Sequence, residues 1–188
     1  MATGGVANRS IFKSPIMGLN NMSASPLRFT ALPPLERLQL LVPGGFRGYK
    51  IKDLIRQDDF LVRQAIVQSL EEAARLLEEQ AAEKAMEDPL SAAVQEYERL
   101  LSELRSLTLD IKSAPMGGDS GMHDRFKLFP EDLEKIVQYD LGGLVNAARA
   151  ILDGARARRE PAALIGMIRE LRNRFNERSK LLIPGPLR

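Results

Sequence analysis

Proline placement constrains this chain more than any other feature. Of its 11 prolines, those beyond residue 49 stand at 89, 115, 130, 161, 184 and 186. Proline lacks the amide donor of a helical hydrogen bond and clashes with the preceding turn, so each marks where a helix begins or stops. The stretches between them carry apolar residues at helical spacing. Ile51, Leu54, Ile55, Val62, Ile66, Leu70, Ala73 and Leu77 predict a helix over about 49–86. Leu90, Val94, Tyr97, Leu101, Leu104, Leu107 and Ile111 predict a second over 89–113. Leu133, Ile136, Val137, Leu141, Leu144, Ala148 and Ile151 give a third over 130–153, and Leu164, Ile168, Leu171 and Phe175 a fourth over 161–182. Four amphipathic helices with short, long and short connections predict an all-α fold, an up-down-up-down four-helix bundle filling residues 49–188.

Several local signals refine that reading. Gln57-Asp58-Asp59 interrupts the first stripe and points to a kink or a break into two pieces. Asp58-Asp59 and Glu87-Asp88 read as helix-end capping and solvated acids, with Asp88 capping a helix that starts at Pro89. Gly142-Gly143 inside the third helix costs about 1 kcal/mol per glycine against alanine, which a close helix contact there would explain. Asp153-Gly154 weakens that helix's end. Arg169, Arg172, Asn173, Arg174 and Arg178 fall on the outer sides of the fourth helix.

Residues 1–48 differ in kind. Prolines stand at 15, 26, 33, 34 and 43, and glycines at 4, 5, 18, 44, 45 and 48. This predicts an extended N-terminal docking arm, with Pro33-Pro34 favouring polyproline II. Leu35, Leu38 and Leu41 allow one short helical turn before Pro43-Gly44-Gly45. Pro43-Gly44-Gly45-Phe46-Arg47-Gly48 lacks the lysine and hydroxyl of a phosphate loop, and reads as the turn joining arm to bundle.

Charge is segregated. Residues 1–50 carry a net +5, residues 51–113 a net −6 and residues 114–188 a net +3. The basic ends suggest an acidic partner surface, while the acidic middle would be repelled by nucleic acid. With no cysteine, thiolate metal sites and cysteine nucleophiles are excluded. No charged-then-apolar leader pattern is visible at the N-terminus, and no apolar run is long enough to span a bilayer. The single histidine, His123, reads as a solvated loop residue, and one histidine cannot build a di-iron bundle. No catalytic, metal-ligating or cofactor-binding constellation is found, so a non-enzyme without cofactor is expected. The basic face from Arg149 to Lys180 lacks interleaved aromatics and reads as solvated or protein-docking.

One pattern resembles a known family. Arg28-Phe29 precedes Leu32-Pro33-Pro34, then Glu36 and Gln39. Sixteen residues separate Pro34 from Ile51-Lys52-Asp53-Leu54-Ile55, and Phe60 and Gln64 follow. This resembles the PsbQ family, extrinsic lumenal subunits of photosystem II that join a proline-rich arm to a four-helix bundle. The stretch Leu104 to Lys112, the stretch Leu144 to Arg149 and the final helix are also similar, so the resemblance spans most of 28–182. The first two helices are longer here, with extra residues around 72–92.

The resemblance implies a non-catalytic protein of the thylakoid lumen, peripheral to the membrane. It would dock on the photosystem II core beside other extrinsic subunits. There it would help retain calcium and chloride at the oxygen-evolving centre, binding no metal itself. Arg28, Phe29, Pro33 and Pro34 are the docking residues it implies. Arg47 and the helix-four arginines Arg172 and Arg174 complete the expected docking set. Two other readings stay open. One is an arm-and-bundle component of another assembly, such as a PsbQ-like protein of the chloroplast NDH complex, a virus particle or a secretion machine. The other is a nucleic-acid-binding bundle using the fourth helix.

Overall fold

The computed structural model describes residues 32–42, 44–48, 55–114 and 130–181. Among these residues the fold is all-helical. Helix α1 spans Pro34–Leu41, α2 Ile55–Glu87, α3 Ala92–Ser113, α4 Pro130–Tyr139, α5 Asn146–Arg156 and α6 Pro161–Leu181. A six-residue π-helical segment, Asp140–Val145, joins α4 to α5, so these two form one interrupted rod.

Each long helix buries its stripe against two neighbours. Helix α2 packs on α3 and on α5, and α6 packs on α3 and on α5. Between α2 and α3 the pairs Glu71–Lys112 and Glu78–Arg105 run in opposite chain order, as a hairpin requires. The interior is aliphatic. Ile66, Leu70, Leu77, Leu100, Leu104, Leu107, Ile111, Leu144, Ile151, Leu164 and Ile168 are all buried. With few aromatics available, branched aliphatic side chains fill the space between the helices.

Helix α2 runs unbroken through Gln57-Asp58-Asp59, so no break into two pieces occurs there. Both aspartates are buried rather than solvated. Helix α3 begins at Ala92 rather than Pro89. Its cap is Ser91, whose hydroxyl accepts the Val94 amide, while Asp88 accepts the Leu90 amide in the preceding turn. A serine cap satisfies one of the four amides that a helix start leaves open.

The paired glycines also behave differently from expectation. Space around a side chain at Gly142 is open, and the atoms nearest to one at Gly143 belong to the Tyr139 ring of its own rod. Both lie in the π-helical segment, whose wide turn places Asp140, Leu141, Leu144 and Val145 inward together. The close helix approach lies at Gly154 instead. A Cβ there would sit 2.7 Å from the side chain of Leu164, at the α5–α6 contact.

The largest correction concerns the arm. Residues 34–41 are helical, and Pro34 is at the start of that helix rather than in polyproline II. Pro33, at φ −54° and ψ 150°, does have that conformation. Leu38, Val42 and Phe46 are buried in the same core as the long helices. Helix α1 packs on α4 and the π-helical segment. Residues 34–42 and 44–48 thus belong to the folded body, and the division at residue 48 does not follow the packing. Leu38→Ala should therefore cost about 2–5 kcal/mol in urea unfolding, as for any buried leucine. A cost near zero would return α1 to the surface.

Candidate functional site

Three charged residues stand on the core stripes at one end of the molecule. Asp59 precedes Val62 and Ile66 by helical steps on α2. Asp140 follows Ile136 and Val137, and Arg178 follows Leu171 and Phe175. Each is continuous with an apolar stripe and is driven inward with it. Arg178, expected on an outer side of its helix, is only 2% exposed.

Their geometry is that of a buried ion network. The Arg178 guanidinium donates to both oxygens of Asp140, from Nε at 2.6 Å and Nη2 at 3.1 Å. Its remaining nitrogen donates to Asp59 Oδ1. The second Asp59 oxygen pairs with Arg63 Nη2 at 2.9 Å. Arg63 also donates to the carbonyl of Ala114, just past α3, and its guanidinium lies 5.6 Å from the centroid of the Phe175 ring. The fork of Arg178 matches a carboxylate bidentately, which holds orientation as well as charge. Carboxylates and guanidinium groups alternate along these contacts. They tie α2, the π-helical segment, α6 and the end of α3.

Beside this network the 44–48 turn is fastened to α2. The Arg47 amide donates to Asp58 Oδ1 at 3.0 Å, and Gln39 Nε2 on α1 donates to the Phe46 carbonyl at 3.0 Å. Gly44, Gly45 and Gly48 have φ of 103°, 87° and 75°, a region that disfavours other residues. Side chains at Gly44 and Gly48 would also collide with Leu61 and Leu35. The turn is thus pressed onto both helices.

Of the expected docking residues, Arg28 and Phe29 lie outside the described residues, as does His123. Pro33 is exposed and Pro34 half-buried, both at the start of α1. Arg47 is exposed, with its side chain 3.5 Å from Gln57 Oε1. Arg172 and Arg174 do not join this group. Arg172 pairs with Glu103 at 3.0 Å and Asp110 at 3.4 Å on α3. Arg174 pairs with Glu170 on its own helix. Its carbonyl accepts the Tyr139 hydroxyl at 2.8 Å, and burial, then the nearby Glu177 carboxylate, push that phenol above its ordinary range.

Arg156, Arg158 and Arg169 of the basic face are likewise engaged within the chain. Arg156 reaches Glu72, Arg158 reaches Glu83, and Arg169 shares Glu103 with Arg172. Carboxylates of α2 and α3 therefore face arginines of α5 and α6, and of the turn between those two helices, across the α2–α5 and α3–α6 contacts. An open groove of about 730 Å³ runs between α2 and α3, and its charges pair across it through Glu71–Lys112 and Glu78–Arg105. Among the described residues no group of three or more histidine, cysteine or acidic side chains is placed to hold a metal ion. Nor is any helix there long and apolar enough to cross a membrane.

Against known proteins, no family model, curated protein or solved structure matches this chain.

The α3–α6 pairing has a pH signature. Hydrogen bonds from Arg169, then from Arg172, hold the Glu103 carboxyl below its usual range. A depressed carboxylate stabilises the fold above its unfolded pKa, and that contribution fades as pH falls through the folded value. Glu103→Gln should lower the melting temperature at pH 7 by an amount equivalent to at most about 1 kcal/mol. The difference from wild type should close as the buffer is taken below about pH 4. A gap unchanged across that range would mean that Glu103 acts through packing alone.

Proposed function

We propose that this chain is a non-catalytic subunit that docks on a larger complex through its N-terminal side. In this reading it is an extrinsic subunit of the PsbQ type on the lumenal face of photosystem II. The long helices form its up-down-up-down bundle. One observation carries the docking: α1 and the 44–48 turn are locked to the body, with Pro33 and Arg47 at the surface. The segment that enters this platform, residues 1–31, holds three basic residues and no acid. A basic segment joined to a rigid platform suits an acidic protein surface, and a fixed platform reduces the entropy lost on binding.

The residues that carry the resemblance divide in two. Leu104, Leu107, Ile111, Leu144, Val145 and Ala148 are core residues, and any helical bundle needs such positions filled. Phe60 is different, since it is 47% exposed on α2 and stands outside the core. With Pro33 and Arg47 it replaces Arg172 and Arg174 as the proposed contact set. Bound in this way, the protein would shield the oxygen-evolving centre and slow the escape of calcium and chloride.

The test compares the full-length protein with its 1–31 deletion on salt-washed photosystem II membranes. Deletion should stop before Pro34, because α1 contributes to the core. Full-length protein should rebind and restore oxygen evolution at low calcium and chloride, and the deletion should do neither. Failure of the full-length protein to rebind would contradict the photosystem reading. Equal rebinding by the deletion would move the contact onto the body.

A further inference from the structure

The opposite end of the molecule carries an apolar tip. Where α2 turns into α3, Met86 and Leu90 are each 87% exposed, and Pro89 between them is exposed as well. Single exposed hydrophobics are ordinary on protein surfaces. These differ in how firmly they are held. The Asp88 amide donates to the Lys84 carbonyl, the Ser91 amide to the Asp88 carbonyl, and the Leu90 amide to Asp88 Oδ1. Behind the turn, Gln80 donates to the Ala155 carbonyl at 2.8 Å and accepts the Tyr97 hydroxyl at 3.3 Å. That bond pair fixes α2 and α3 to the end of α5. A rigid connection has no need of Met86 or Leu90, and neither side chain contributes to the core.

The tip also stands in a strong field. From Glu78 to Glu98 the chain has seven acidic residues and one basic residue, Lys84. Arg105, Arg158 and Lys84 engage Glu78, Glu83 and Glu87. Glu79, Glu96 and Glu98 are exposed and make no ion pair among the described residues. Nucleic acid and anionic lipid are both repelled by such a collar, whereas a cationic surface is drawn to it.

We propose that this tip is a docking knob for a partner protein whose apolar surface is bordered by lysine and arginine. Met86 and Leu90 supply the buried centre of the contact, and the collar supplies orientation and speed of encounter. Because the turn is already ordered, little freedom is lost when it seats. The knob stands independently of the photosystem reading.

A fluorescently labelled amphipathic peptide of leucine and lysine presents the required surface, and its anisotropy with the full-length protein tests the proposal. Wild type should bind, with affinity falling as salt rises. Met86→Ser with Leu90→Ser should bind at least about tenfold more weakly, since two apolar side chains lose their burial. Leu40→Ser with Leu109→Ser, removing exposed leucines elsewhere, should bind as wild type does. Circular dichroism melts should show the tip variant as stable as wild type, because its altered side chains touch little. Equal binding by wild type and the tip variant would overturn the proposal, as would no binding by wild type. Tip-dependent binding to phosphatidylcholine vesicles in place of the peptide would reassign the knob to neutral lipid. Tip-dependent self-association in sedimentation would reassign it to a second copy. Either result overturns the proposal.

Discussion

Arg178 is the residue on which the packing converges. Its guanidinium spans two carboxylates, Asp140 on the π-helical segment and Asp59 on α2, and all three are almost without solvent. Burying a charge is costly unless partners and hydrogen bonds replace the water it loses. A network of this kind adds little net stability over an apolar core, yet removing one member strands the others. Its effect is therefore on choice among arrangements. Aliphatic stripes tolerate sliding by a turn, whereas Asp59, Asp140 and Arg178 meet in one register only. The π-helical turn belongs to the same solution. It brings Asp140 inward with Leu141 and Leu144.

Outside the core a second electrostatic pattern acts on pairing. Helices α2 and α3 bring carboxylates, and α5 and α6 bring arginines. Glu72 and Glu83 meet Arg156 and Arg158, and Glu103 meets Arg169 and Arg172. Each exposed pair is weak. Their common sense of charge nevertheless favours setting α2 beside α5 and α3 beside α6. Glu79, Glu96 and Glu98 stay without an ion pair among the described residues. The acidic collar surrounds Met86 and Leu90, and the basic N-terminal residues enter at the α1 platform. Both proposed contacts are built on what the internal pairing leaves over.

The long helices are legible in the sequence because apolar residues recur every third or fourth position. Leu70, Leu104, Leu144 and Ile168 all fall inside as their spacing requires. Where the reading fails, charge is the cause. The α6 stripe is aliphatic from Leu164 through Leu171, ends in Phe175, and reaches Arg178 in one further helical step. Spacing alone places Arg178 inside; treating charge as proof of exposure places it outside. Asp59 and Asp140 follow the same rule. The pairing of acidic with basic helices leaves only segregated net charge in the sequence, because which helices become neighbours depends on long-range packing. Helix α1 carries its stripe at Leu35, Leu38 and Leu41. That Leu38, Val42 and Phe46 enter the common core depends on partners distant in sequence, so composition makes this stretch look like a free arm. The π-helical segment leaves only the trace of Gly142-Gly143, which a close helix contact would leave equally.

A double-mutant cycle on Asp140 and Arg178, followed by urea unfolding, tests most directly whether the network sets the packing. Asp140→Asn and Arg178→Met should each cost about 3–5 kcal/mol, since each strands a buried charge. Made together they should cost well below the sum, with a coupling of about 2 kcal/mol or more. Additivity to within about 0.5 kcal/mol would show that the two residues act independently, and would contradict a packing register set by the buried network.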